Sequence, residues 1–381
     1  MLLAKEAPPL APTTIPIPKD PHDEWITVPL GEKNEDPKFE VKRLPPEQFE
    51  AVYDCVDNAF GKTRPRALFN WLYRENPYGL ARVWSTTEVA TGRLLRVGSN
   101  FPWPIWRGDR PCMGSLGGDA ATVTDWQRKG LSGPQRRISR SHPMRPSWAT
   151  IAGPNESSRA LSEKFGDQSS TLGELVGGVA VLGGADLGRR LGLPMALARP
   201  VGALAGGVFA AWRGLTLRGG RGHRFEVVDR CPSDFDAVTL ATMRFEHWWT
   251  PHNSVFLNWR YVDHPIETYQ PLALVDPTND VPAAYALVRL AGAQSTLAEF
   301  AASPADAPVL LAHVLRFARE AGAESMNFFS TPAWRHWALF RRTGFLAYRT
   351  GNFLEAKDHQ DKKYSEDIMR WQLTPGDRDY H

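Results

Sequence analysis

Phe69-Asn70-Trp71-Leu72-Tyr73-Arg74-Glu75-Asn76-Pro77 and Leu257-Asn258-Trp259-Arg260-Tyr261-Val262-Asp263-His264-Pro265 read as one piece of chain written twice. Asn, Trp, Tyr and Pro fall in register at an offset of 188 residues, 259 − 71. Trp and Pro are uncommon enough that the agreement argues for duplication. Each stretch reads as a helix stopped by its proline, because the residue before proline is pushed out of the α region. The aromatic residues themselves suit inward packing.

Working outward from both stretches, the same element order appears on each side. Phe39–Leu44 alternates as a strand, and Pro45-Pro46-Glu47 opens a helix with apolar residues at Phe49, Val52, Val56 and Phe60. A helix over 66–75, strands near 81–87, 93–105 and 114–123, a basic helix ending near His142, a strand at 147–152, a short helix at 156–165 and a strand region at 172–182 follow. The pattern restarts at Phe225–Val228. It continues with helices near 233–245 and 254–263, strands at 271–275, 283–290 and 295–300, a helix at 305–321, a strand at 325–329 and a helix at 333–342. Between them, 183–222 is rich in Gly, Ala and Arg and reads as a connection. The expected organisation is a flexible Pro-rich tail over 1–38, a first domain over 39–182, the connection over 183–222 and a second domain over 223–381.

Bulk composition narrows the function classes. A chain of 381 residues with 42% hydrophobic content supplies two ordinary cores. Lys and Arg number 45 against 42 Asp and Glu, a net charge of +3, so no global field points to nucleic acid. Three dispersed cysteines, Cys55, Cys112 and Cys231, suit a reducing compartment and argue against a disulfide framework or a metal cluster. The N-terminus lacks an apolar secretory core, and a cytoplasmic location is expected. The apolar stretch 191–215 is interrupted by Pro194, Arg199, Pro200 and Arg213, which suits a buried or interfacial helix better than a membrane span and makes it a candidate for weak membrane association.

The segment most suggestive of chemistry is Asp119–Gly133, where a strand enters a loop with Gly130 and Gly133 and a helix follows. Such a turn can aim successive backbone N–H groups at an anion, and Arg128 and Lys129 add charge at its rim. An ordinary strand–loop–helix connection reads equally well from spacing alone. Cys112 reads as a small core residue. His247 and His252 are too few for a metal site; His247–His252, with Trp248 and Trp249, suits a packed helix end or an aromatic wall for an acceptor. Arg136, Arg137 and Arg140 form a basic helix face open to solvent or to a phosphate, and Lys362-Lys363 lies in a polar segment.

In this segment the chain resembles the GNAT superfamily of acyl-CoA N-acyltransferases. That family's pyrophosphate loop, Gln/Arg-x-x-Gly-x-Gly/Ala after the fourth strand, matches Gln127-Arg128-Lys129-Gly130-Leu131-Ser132, with Ser132 in place of Gly or Ala. Its Asn after the fifth strand matches Asn155, followed by Ser158. Ser162 stands near where many members carry a tyrosine acid, and Asp167 where the helix-ending Gly-Phe has Phe. The layout resembles tandem GNAT proteins over about residues 39 to 373. The resemblance implies an α/β (α+β) fold of two tandem GNAT-like domains, each a mixed, mostly antiparallel central sheet flanked by helices. It implies acetyl-CoA or another acyl-CoA as co-substrate, no metal, and an amine acceptor on a small molecule or carbohydrate. Ala121, Thr122 and Val123 would meet the pantetheine arm, and Gln127, Arg128, Lys129, Gly130, Leu131, Ser132, Asn155 and Ser158 the rest of the cofactor. Asp119 is the candidate base.

The second copy reads differently. Thr296–Phe300 corresponds to the fourth strand, but Ala301-Ala302-Ser303-Pro304-Ala305-Asp306 has neither the glycines nor the basic pair, and Asp306 would repel phosphate. This copy is expected not to bind CoA. Glu299 stands in the place of Asp119 and is a further candidate at the acceptor cleft. Two other readings stay open: an aminoacyl-tRNA-dependent transferase of similar tandem fold, and a non-catalytic scaffold.

Overall fold

The computed structural model describes residues 27–30, 38–108, 110–141, 149–156, 158–160, 170–217, 222–242, 247–358 and 367–377. The first copy comprises β2 (Phe39–Leu44), α1 (Phe49–Phe60), α2 (Arg66–Tyr73), β3 (Arg82–Glu88), β4 (Leu94–Arg107), β5 (Arg110–Thr122), α3 (Ser132–Ser141), β6 (Ala149–Ala152) and β7 (Ser170–Val181). Ahead of it, β1 (Thr27–Leu30) pairs with β2, inside the stretch expected to be an unstructured tail. Two helices, α4 (Asp186–Arg190) and α5 (Met195–Thr216), form the connection. The second copy comprises β8 (Arg224–Val227), α6 (Phe235–Ala241), β9 (Trp248–Trp249), α7 (Ser254–Leu257) running into a π-helical turn at Asn258–Val262, β10 (Tyr269–Asp276), β11 (Val281–Ala291), β12 (Gln294–Ala302), α8 (Ala307–Glu320), β13 (Ser325–Ser330), α9 (Trp337–Arg342), β14 (Phe345–Asp358) and β15 (Trp371–Gln372).

The two copies build one continuous mixed sheet. Its path runs β1-β2-β3-β4-β5-β6-β14-β7-β13-β12-β11-β10-β8. Within each copy the first four strands are antiparallel and the fourth and fifth are parallel: β5 with β6, and β12 with β13. The last strands are exchanged. β14 of the second copy pairs with β6 of the first, while β7 of the first pairs with β13 of the second. β7 and β14 also pair with each other, antiparallel, at the centre of the path. The order is therefore symmetric about that pair, with β6 answering β13 and β5 answering β12. Domains contiguous in sequence are interleaved in space.

The repeated helix lies on this pseudo-twofold. Trp71 and Trp259 stack with ring centroids 5.0 Å apart. Each indole donates to the other residue's carbonyl, Trp71 Nε1 to Trp259 O at 2.9 Å and Trp259 Nε1 to Trp71 O at 3.3 Å. The contact is isologous, the form that a two-fold relation imposes. One core joins α1 and α2 residues such as Phe49, Tyr53 and Leu72 to second-copy residues such as Phe235, Phe256 and Tyr285. A second core sits under α8 and α9, with Leu310, Val314, Phe328 and Phe340.

Candidate functional site

The first copy's cleft starts where its parallel strands part. Pairing of β5 with β6 ends at Gly117 opposite Ala152, yet β5 continues to Thr122. On its other edge β5 carries a bulge, with Ser99 opposite Gly118 and Val97 opposite Ala121. Asp119 sits in that bulge at φ 45°, and Ala120 is exposed. A bulge bends its strand and adds twist, which widens the gap toward β6. Ala121 and Val123 are buried and Thr122 half-buried.

The chain then forms a short 3₁₀ turn, Thr124–Trp126, and a loop into α3. Arg128 (φ 64°) and Gly130 (φ 85°) both take left-handed backbone conformations. A Cβ on Gly130 would meet nothing within 4 Å, so glycine is required there by conformation and not by crowding. Among the described residues, the backbone N–H groups of Arg128, Gly130 and Leu131 meet no backbone acceptor. They precede the N-terminus of α3, where the helix dipole adds positive potential. Lys129 Nζ lies 4.4 Å over the Trp126 ring, which itself meets Phe39 edge-on. Gln127 turns back, its Nε2 3.3 Å from Thr122 O and 3.4 Å from Ala59 O. Leu131 is buried and Ser132 half-buried.

Beneath α3 the face of the sheet is basic. Arg96 is buried, bonds Thr122 Oγ1 at 2.7 Å, and has no partner for Nε. Burial, and then the Arg136 charge, lower its pKa to about 10. Burial also lowers that of Arg136, against a pull from Glu355. Two neighbouring guanidinium groups in partial burial are stabilised by an anion placed among them.

Of the other predicted site residues, Asn155 accepts from Ser158 N–H at 2.8 Å, so its side chain caps the helix after β6 and Ser158 is engaged by that cap. Ser162, Asp167 and Lys362-Lys363 lie outside the described residues, as do the side chains of Cys112, Arg137 and Arg140. Asp119 is buried with both oxygens engaged: Oδ1 is 3.2 Å from Arg64 Nη1 and Oδ2 accepts from Tyr73 O–H at 2.9 Å. Each oxygen is thus engaged, which ties α2 and the segment before it to the bulge of β5.

The second copy repeats this triangle. The 188-residue offset that relates Trp71 to Trp259 also relates Tyr73 to Tyr261 and Arg64 to His252. Tyr261 O–H donates to Glu299 Oε1, and His252 Nδ1 lies 3.0 Å from Glu299 Oε2. Extending the repeat ahead of the tryptophans would have exposed the Arg64–His252 pair, which the sequence reading missed. What the repeat could not supply is the C-terminal segment. Thr374 Oγ1 donates to Glu299 Oε1 at 2.7 Å, and Asp377 Oδ1 takes His252 Nε2 and Trp103 Nε1, each at 3.1 Å. Leu373 N–H donates to Thr331 Oγ1 at 3.5 Å, and Arg260 Nε to Gly376 O at 3.1 Å.

Trp371–Asp377 therefore lies across the gap where β12 outruns β13, whose pairing stops at Thr296 opposite Asn327. Burial opposes protonation of His252, but the Glu299 and Asp377 charges outweigh it and raise its pKa to about 10. Burial opposes ionisation of Asp377, and the same imidazolium lowers its pKa below the usual carboxylate value. Beside this network a cavity of about 50 Å³ remains, lined by Thr250, Trp249, Glu299 and Trp334 among others. It can hold a few waters and is far too small for a pantetheine arm. Asp306 stands at the start of α8, its carboxylate bonded by Ser303 Oγ at 2.6 Å, where an anion would otherwise approach.

No protein-family model matches the sequence, and no curated protein matches it significantly. Solved structures do share its architecture. A probable N-acyltransferase from Enterococcus faecalis V583 superposes with a TM-score of 0.62 at 12% identity, over 84% of this chain and 72% of that one. The chain has the GNAT fold, twice over. A GCN5-related N-acetyltransferase from Kribbella flavida gives 0.54 at 12% identity over 84% and 71% of the two chains. Saccharomyces cerevisiae N-myristoyltransferase, solved with myristoyl-CoA, gives 0.51 at 11% identity over 96% and 95%. At these identities the likeness is one of fold, and chemistry must be argued from the site.

Proposed function

We propose that the chain is an acyl-CoA-dependent N-acyltransferase whose donor site is the first copy's cleft. The observation that carries this reading is the set of N–H groups around Gly130 that meet no backbone acceptor among the described residues, at the start of α3 and beside the parted strands β5 and β6. A pyrophosphate is the anion whose size and charge suit several convergent amides and a helix dipole. The pantetheine amides would bond the free edge of β5 around Ala121–Val123 as an added strand does. The thioester arrives activated, so the protein's work is to orient it and to offer a backbone N–H to the tetrahedral oxyanion. An acetyl donor and an amine on a small molecule or carbohydrate are the substrates proposed.

Calorimetric titration of the full chain with acetyl-CoA, followed by a panel of amines assayed for released thiol, tests it. Saturable binding with thiol release supports the enzyme. Failure of the folded protein to bind acetyl-CoA or a longer acyl-CoA would sink the reading. A second reading, a scaffold that binds acyl-CoA without turnover, is favoured by the engagement of both oxygens of Asp119. It expects binding and no thiol release with any amine.

A further inference from the structure

Helix α5 is mounted the wrong way round for a protein surface. A surface helix ordinarily buries its large apolar stripe and shows its small and polar face to water. Here the buried positions are Ala198, Gly202, Gly206 and Arg213. Their packing is backbone-close: a Cβ on Gly202 would lie 1.7 Å from Gly184 O, and one on Gly206 2.7 Å from Gly183 Cα. Arg213 fastens the far end, donating to Thr343 O at 3.0 Å and Val181 O at 2.9 Å. The outward stripe is Leu197, Leu204, Val208 and Leu215, with exposures of 55%, 72%, 60% and 60%. Trp212 flanks it, half exposed, its indole donating to Arg342 O.

We propose that this stripe docks on an anionic lipid surface, with α5 lying in the plane of the interface. Length and composition alone would let the helix cross a membrane. Its fixed small face excludes that, because spanning would strip Gly202, Gly206 and Arg213 from the body they pack against. The choice of occupant follows from charge. From residue 187 to 225 the sequence carries seven arginines and no Asp or Glu. Arg189 and Arg190 are matched by Asp186 and Glu324. Arg199, Arg218 and Arg221 have no acid within the stretch. Arg199 is exposed on α5, and anionic headgroups reward an apolar stripe within such an arginine-rich, acid-free stretch of sequence. A second copy docked through the same stripe would set like charges against each other across a two-fold axis. The surface is also well placed. β5 and β6 run parallel and β7 runs the same way, so Val181, where α5 is fastened, lies at the end of the sheet where the first copy's cleft opens.

The test is flotation of the full chain with phosphatidylcholine vesicles, with and without phosphatidylglycerol, for wild type and for Leu204→Glu/Val208→Glu. Both positions face solvent, and an unchanged circular dichroism spectrum and unfolding midpoint show that the variant folds. The expected result is wild-type flotation with the anionic vesicles and a partition coefficient lowered by about tenfold or more in the variant. Adding salt, or Arg199→Glu, should lower it by a smaller factor. Wild type that stays at the bottom of the gradient, or a double variant that floats as well as wild type, overturns the proposal. So does a concentration-dependent dimer in light scattering that the double variant abolishes, which would give the face to a second copy. None of these readouts depends on acyl-CoA, so the proposal stands or falls apart from the enzymatic one.

Discussion

The two clefts share a frame and differ in what fills them. Each has a fourth strand that outruns its parallel partner, and each holds a buried carboxylate in the grip of a tyrosine and a cation. In the first copy the gap meets a loop with amides to spare and a basic helix. In the second it is crossed by the chain's own Trp371–Asp377 and faced by Asp306. Duplication preserved the parts that hold the sheet together. The parts around the two gaps diverged, so that one meets the Gly130 loop and a basic helix while the other is crossed by polypeptide.

The symmetry is where the comparison can be broken most forcefully. Trp71→Ala and Trp259→Ala should each cost about 3–5 kcal/mol in urea unfolding, as for other buried tryptophans. Because the two rings touch, the double variant should lose less than the sum. Additive losses would mean that the stacked pair does not couple the copies. Next, Asp119→Asn removes the shorter of Arg64's two ion pairs, leaves only Asp57 at 3.9 Å, and should cost about 1–3 kcal/mol. If Asp119 only anchors, acetyl-CoA affinity stays within error of wild type.

The ligand-binding difference gives the third test. Gly130→Glu places a carboxylate at the amides and also strains a left-handed position; it should weaken acetyl-CoA binding about a hundredfold or more, and Gly130→Ala, which adds the strain alone, by a smaller factor, with the fold retained in both. The counterpart, Asp306→Gly, should not create a second site, because the C-terminal segment still crosses that cleft. A stoichiometry of two in this variant would contradict the closed-cleft account.

A further test is in pH dependence. His252 has a folded pKa raised from 6.5 to about 10, so its contribution is complete below pH 6.5 and is lost as pH rises through about 10. Asp377 has a folded pKa below 3.8, so its contribution is present above pH 3.8 and is lost as pH falls. Wild-type unfolding midpoints should therefore decline from pH 6.5 to 10, and Asp377→Asn should flatten that decline. Parallel slopes for the two proteins would dismiss the network as a source of stability.

Much of this was legible in the sequence. The repeated Trp-x-Tyr helix and the order of elements gave the two copies, because periodicity and proline punctuation are local signals. The Gly130 loop was legible because left-handed backbone demands particular residues. The strand exchange was not, since nothing in Ser170–Val181 or Phe345–Asp358 says which copy's fifth strand it will join. Nor was the bond between Asp377 and Trp103, which closes a separation of 274 residues. The carboxylates were visible as residues, but their engagement by Arg64 and His252 depends on helix packing that no short window encodes.

The exchanged strands have a consequence for ancestry. A single-copy protein whose last strand leaves to join a neighbour's fifth strand can complete its sheet only by meeting another molecule of the same kind. The symmetric order of the present sheet is what two such molecules would form on trading those strands, with the stacked tryptophans at their axis. In the present chain α4 and α5 tether the two halves, so their pairing does not depend on concentration. The tether also frees the halves from being identical, which no swapped homodimer can achieve.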